Sequence, residues 1–211
     1  MSDAVTDPLR DAAETMRLVR ERCVWSQQIT HRDLVPYLIE ESHEVIDAVE
    51  AGSRAELQEE LGDLLWQVLF HSAVAAQHPD DPFDIDDVAR TLTEKMVRRH
   101  PHVFAEAVAT TPEEVLVHWN AAKAAEKRER SSVLDGVPSG MPALARAQKV
   151  LGRAASVGVT AGEAPPVAAS EAELGDALLA LVAQARAEGW DAERALRERL
   201  RALEAEVRAA E

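Results

Sequence analysis

Apolar residues recur along this chain at spacings of three and four, and the strict alternation that marks a half-buried strand is absent. The spacing predicts helices at roughly 5–22, 33–51, 54–78, 84–100, 112–130, 141–155, 171–188 and 191–210. Three starts carry a capping-box pattern, in which a hydroxyl and a carboxylate three residues apart each take a backbone N–H of the first turn. These are Ser53 with Glu56, Thr111 with Glu114 (Pro112 standing at the first helical position), and Ser170 with Glu173. Gly52 stands where the second helix should stop. The connection Ala51-Gly52-Ser53 is so tight that 33–51 and 54–78 are expected to fold back as an antiparallel hairpin.

Two Gly/Pro/Ala-rich stretches, LDGVPSGMP and VGVTAGEAPPVAAS, break the pattern after the fifth helix. They divide the chain into a main helical domain at 1–135, a linker with one helix at 136–170 and a terminal helical segment at 171–211. A faint repeat joins the two ends: EELGDLLWQVLFHSAVA at 59–75 resembles AELGDALLALVAQARAE at 172–188, which aligns Glu60 and Asp63 with Glu173 and Asp176. Too few residues separate Val159 from Glu173 for the second copy to include a counterpart of the helix 33–51.

On that helix the hydrophobic pattern is interrupted by acid. With Glu41 at zero and a turn of about 100° per residue, Leu34 lies at about 20°, Val45 at about 40°, Leu38 at about 60° and Ala48 at about 340°, so Glu41 sits inside the apolar stripe. Glu44 lies at its edge, at about 300°. On the next helix, Leu64 and Leu57 lie at about 40° and 60° from Glu60, and Asp63 at about 300°. The hairpin therefore turns two acidic pairs, Glu41 with Glu44 and Glu60 with Asp63, toward one another. Glu40, Asp47, Glu50, Glu56 and Glu59 point elsewhere or begin a helix, and read as ordinary solvated or capping residues.

Four carboxylates in a partly dry site repel one another and lose hydration, so a positive partner is required. Oxygen-only ligands select a hard cation, magnesium first, with waters or substrate oxygens in its remaining positions.

Composition and charge narrow the classes. The 211 residues are 46% hydrophobic and 29% charged, with 4% aromatic, which suits packed helices. A formal net charge of −15 argues against a nucleic-acid polymer or an anionic membrane as partner, and an anionic ligand needs a local cationic patch or a metal. Cys23 is the single cysteine, which excludes an internal disulfide; no apolar run reaches membrane-span length and no signal-peptide pattern appears, so a cytoplasmic location is expected.

The acidic pattern, EESHE at Glu40, Glu41 and Glu44 followed by ELGD at Glu60 and Asp63, resembles the EExxE…ExxD signature of the MazG nucleoside triphosphate pyrophosphohydrolases. The texts LVPYLIEESHEVIDAVE, EELGDLLWQVLFHS and KMVRRHPHVF are similar to the N-terminal half of full-length members, and the likeness covers about residues 9–160. It implies an all-α fold with a MazG-type four-helix-bundle core completed by homodimerisation. It also implies magnesium-dependent hydrolysis of a nucleoside triphosphate between the α and β phosphates, with manganese a possible substitute. By motif position Glu41, Glu44, Glu60 and Asp63 would be metal ligands, Glu40 would orient water from outside them, and Lys95 and Arg99 would hold phosphates.

The residues themselves agree with a phosphate role for Lys95, Arg98 and Arg99, which gather cationic donors at one helix end in an acidic chain, although the same charges also complement the helix dipole. In HWNAAKAAEKRER, Trp119 is suited to stacking on a base or to filling a bundle, and Lys123 follows one turn later.

Two features depart from the family pattern. The usual Cys-Pro-Trp-Asp run reads CVWS here, Cys23 to Ser26, and the terminal copy keeps Glu173 and Asp176 without an opposing EExxE, so a catalytically empty second repeat is expected. Competing readings are a di-iron bundle, suggested by Glu40 and His43 but opposed by the roughly 160° between His43 and Glu41, and a nucleotide-sensing or partner-binding helical dimer.

Overall fold

The computed structural model describes residues 7–126, 132–155, 158 and 168–199. Among them no strand occurs, and the protein is all-α. The helices are α1 (Pro8–Arg22), α2 (His31–Glu50), α3 (Arg54–Ala75), α4 (Ile85–Arg99), α5 (Pro101–Phe104), α6 (Pro112–Ala125), α7 (Ala143–Ala154) and α8 (Glu171–Ala187), with a helical run at 192–199. They fall into two compact units, Met1–Ala125 and Glu126–Glu211.

Capping fixes most boundaries. The boxes at Ser53 and Thr111 form: Ser53 N–H donates to Glu56 at 2.6 Å, and Thr111 N–H donates to Glu114 at 3.3 Å. At α8 the box is displaced, because the Glu173 carboxylate accepts from Ala169 N–H at 2.7 Å while Glu173 N–H donates to Ser170 Oγ. Two further boxes shift or sharpen the expected ends. Thr30 with Asp33 starts α2 at His31 instead of 33, and Asp84 with Asp87 starts α4. Asp7 caps α1 ahead of Pro8. The helix expected over 84–100 stops at Arg99, since His100 precedes Pro101 and leaves the helical region at φ −120°, ψ 60°. Residues 5–6, 127–130 and 200–210 of the expected helices lie outside the described residues, as does most of the second Gly/Pro-rich stretch.

The first unit is organised by the α2–α3 hairpin, with α1 and α4 packed on α3 and α5 and α6 against α4. Gly52 makes the reversal possible, because a Cβ there would come within 2.7 Å of Ala48 Cα. Met16, Leu34, Leu69 and Phe70 form the core between α1, α2 and α3, enclosed by Ala13, Leu65, Trp66, Val74 and Ile85. The loop after α1 is tied down by the buried Arg20, whose guanidinium donates to the carbonyls of Ser26 and of Ile29 and to Gln77 Oε1. Ser26, wholly buried, donates to Val19 O at 2.7 Å. Trp25 meets Tyr37 and Phe70 edge-on. The CVWS segment is thus an anchored turn.

In the second unit α7 packs on α8. α8 ends in a Schellman arrangement: Trp190 N–H donates to Ala185 O at 2.8 Å and Gly189, at φ 74°, donates to Arg186 O. Gln148 Nε2 donates to Trp190 O, and Arg153 donates to the carbonyls of Val133 and Asp135.

Candidate functional site

The hairpin brings carboxylates of both helices together. Ligand-capable oxygens of Glu41, from α2, and of Glu60 and Asp63, from α3, all lie within 4.8 Å of one another. Glu41 and Glu60 are half-buried and Asp63 is exposed. Glu44 is exposed and stands outside that trio, and with Glu60 it lines a hollow of about 270 Å³ that runs along the hairpin past Asp47 and Ala48 to Gly52. Glu40 is exposed on α2.

Electrostatics mark the same group. Burial, the Asp63 charge and the nearby Glu44 carboxyl push Glu41 above the ordinary carboxylate range, opposed by a hydrogen bond from Gln67. Burial raises Glu60 as well, with Glu44, Asp63, Glu59 and Glu56 adding repulsion. Acidic side chains that resist ionisation at each other's expense suit a cation, and an all-oxygen donor set suits a hard one. Hence the residues fit a hard divalent cation.

Gln67 escaped the sequence reading. It is 5% exposed and its Nε2 donates to Glu41 Oε1 at 3.3 Å. Its position four residues after Asp63 and seven after Glu60 puts it on the same face of α3, a signal that was available in the sequence. His43, the residue of the Glu-x-x-His alternative, is exposed and its Nδ1 lies 2.7 Å from the Ile39 carbonyl of its own helix.

The basic residues of the first unit singled out by the sequence stand at the end of α4 and on α6. Lys95 and Arg99 are half-buried and Arg98 is exposed. The Arg99 guanidinium carbon lies 5.0 Å from the Trp119 ring centroid, a cation–π contact, and the His100 ring meets the same indole edge-on. Lys123, also half-buried, lies one turn beyond Trp119 on α6. In the second unit Glu173 is engaged as a cap and Asp176 is exposed.

Comparison with known proteins points one way. Residues 29–104 match the family model of the MazG nucleotide pyrophosphohydrolase domain. The nucleoside triphosphate pyrophosphohydrolase of Escherichia coli K12 is 36% identical over 214 residues, covering 90% of this chain and 81% of that protein. The nucleoside triphosphate pyrophosphohydrolase of Mycobacterium tuberculosis is 49% identical over 154 residues, 72% of this chain and 46% of that protein. An uncharacterized 26.1 kDa protein of Streptomyces cacaoi is 48% identical over 203 residues, 96% of this chain and 82% of its own. The match thus spans about four fifths of the E. coli and S. cacaoi relatives and about half of the mycobacterial one.

Proposed function

Since the chain belongs to the MazG family of nucleoside triphosphate pyrophosphohydrolases and is an enzyme of that class, we propose that its α2–α3 hairpin binds magnesium and cleaves nucleoside triphosphates between the α and β phosphates. Water is added and the products are a nucleoside monophosphate and pyrophosphate. The observation that carries this reading is the meeting of Glu41, Glu60 and Asp63 from two helices within 4.8 Å.

Glu41, Glu44, Glu60 and Asp63 hold the ion, and Glu40 orients water from outside that set. When bound, magnesium (or manganese in its place) supplies Lewis acidity at a phosphate oxygen and lowers the pKa of bound water. Lys95, Arg98 and Arg99 neutralise the triphosphate and the departing pyrophosphate by charge-assisted hydrogen bonds. Trp119 offers a stacking face for the base, with Lys123 beside it for a further phosphate or sugar oxygen.

We also read the enzyme as a cytoplasmic homodimer acting on free nucleotides, with no nucleic-acid polymer or membrane as partner. Exposed apolar side chains support a dimer: Leu61 and Val68 on α3 and Leu92 on α4 remain half-open to solvent, a costly arrangement for a lone hairpin. No helix among the described residues is long and apolar enough to cross a membrane. The second repeat, with Glu173 in a cap, is assigned packing or regulation.

The test is a panel of ribo- and deoxyribonucleoside triphosphates incubated with the protein and magnesium. Monophosphate and pyrophosphate in equal amounts, abolished by a chelator, are expected. Release of diphosphate and inorganic phosphate would reject cleavage at the α–β bond.

A further inference from the structure

We propose that Gln67 is a positioning residue of the acidic site, its buried amide fixing the Glu41 carboxylate for the divalent cation. The inference rests on the metal reading of the proposed function and deepens it.

Gln67 is 5% exposed, beside the core residues Leu69 and Phe70. Its Nε2 donates to Glu41 Oε1 at 3.3 Å, and its Oε1 is buried with no hydrogen-bond partner among the described residues. A leucine or methionine would fill such a position without desolvating an amide, and an acceptor left unpaired in the interior is a standing penalty. Among the described residues the amide's one hydrogen bond runs to a carboxylate of the cluster.

Chemistry also sets which way the amide points. An ionised carboxylate oxygen accepts and repels another oxygen, so the NH₂ end must face Glu41 and the carbonyl end must face away. A carboxylate held by an N–H on one oxygen arrives at the cation with its rotation already restricted. Partners of this kind tune ligand orientation, and their loss typically weakens metal binding roughly 10–100-fold. Gln67 bridges the two helices as well, joining the face of α3 that carries Glu60 and Asp63 to Glu41 on α2.

The experiment compares Mn²⁺ binding, without nucleotide, by the full wild-type chain and by Gln67→Met, using the paramagnetic signal of the free ion. The methionine variant should bind Mn²⁺ roughly 10–100-fold more weakly while melting, metal-free, at or above the wild-type temperature. A melting temperature unchanged together with an affinity within twofold of wild type would overturn the inference and leave the metal assignment standing. Absence of Mn²⁺ binding by the wild type would defeat the metal assignment, and this inference with it. Should Gln67→Met fail to fold, the side-chain amide resonance of Gln67 in the wild type decides. It should shift as Mg²⁺ is added, and an amide that stays still while the Glu41 carboxyl resonance moves would overturn the inference.

Discussion

Nδ1 of His31 lies 2.8 Å from Nδ1 of His71, with the two rings stacked 5.1 Å apart and 6° from parallel. The contact joins the first residue of α2 to the face of α3 and so pins the open end of the hairpin. Among the described residues His71 Nε2 is buried without a partner. The cheaper tautomer therefore has His71 donating from Nδ1, which leaves a lone pair, not an N–H, unsatisfied inside.

Burial and the neighbouring His31 hold His71 below the usual histidine range. A base with a depressed folded-state pKa contributes stability that is present above about pH 6.5, its ordinary value, and is lost as pH falls through the folded value. Thermal melts between pH 5 and 8 should show this loss, and His71→Gln should flatten that part of the profile. An identical profile in wild type and variant would remove the histidine pair as its cause.

Glu60→Gln and Asp63→Asn should each lower kcat/KM for the magnesium-nucleotide by about 100-fold or more, because each removes a charge from the proposed ion site. Glu59→Gln, on the same helix but outside the cluster, should change it by less than about threefold. Pyrophosphate release measured in parallel decides; equal turnover in all four proteins would mean that the cluster is not the site.

Removing metal exposes the cost of the cluster. The folded-state pKa of Glu41 is raised, so its contribution to stability is full below the ordinary carboxylate range, near pH 4, and declines as pH rises through the folded value. Glu41→Gln should accordingly melt a few degrees higher than wild type at pH 7 in chelator, and the advantage should vanish near pH 4. Saturating magnesium should reverse the order at pH 7, since the ion stabilises only the chain that binds it well.

Arg99 and Trp119 make one platform, with the guanidinium carbon 5.0 Å from the indole centroid. Trp119→Leu should raise KM for nucleoside triphosphates roughly tenfold, the scale of one lost base–aromatic stack, with a smaller effect on kcat. Arg99→Ala should lower kcat as well, because charge on the leaving pyrophosphate grows in the transition state. Steady-state kinetics on one nucleotide separates the two patterns, and an unchanged KM in Trp119→Leu would leave the tryptophan a packing residue.

The helices were readable from the sequence because they depend on residues three and four apart. Ser53 with Glu56 and Thr111 with Glu114 are local devices, and the structure uses both. Thr30 with Asp33 and Asp84 with Asp87 carry equivalent local signals, and the first of them starts α2 two residues ahead of the expected 33. The displaced box at α8 was not readable, because whether Ala169 N–H or Ser170 N–H faces the Glu173 carboxylate depends on the path of the chain ahead of the helix.

The acidic site divides along the same line. Periodicity alone set Glu41 in the apolar stripe of one helix and Glu60 with Asp63 on the inward side of the next, and the short connection Ala51-Gly52-Ser53 called for the reversal between them. Which oxygens meet, and which neighbours support them, depends on the rotation and register of α2 against α3, and those are set by packing around Met16, Leu34, Leu69 and Phe70. Gln67 reaching Glu41 and His31 reaching His71 both span that interface, across 26 and 40 residues of chain. The chain order dictated the helices and the sidedness of their charge, since both follow from the 3.6-residue turn. Only the folded hairpin decided the pairings between helices, since a side chain's partner across an interface is chosen by the packing of every residue around it.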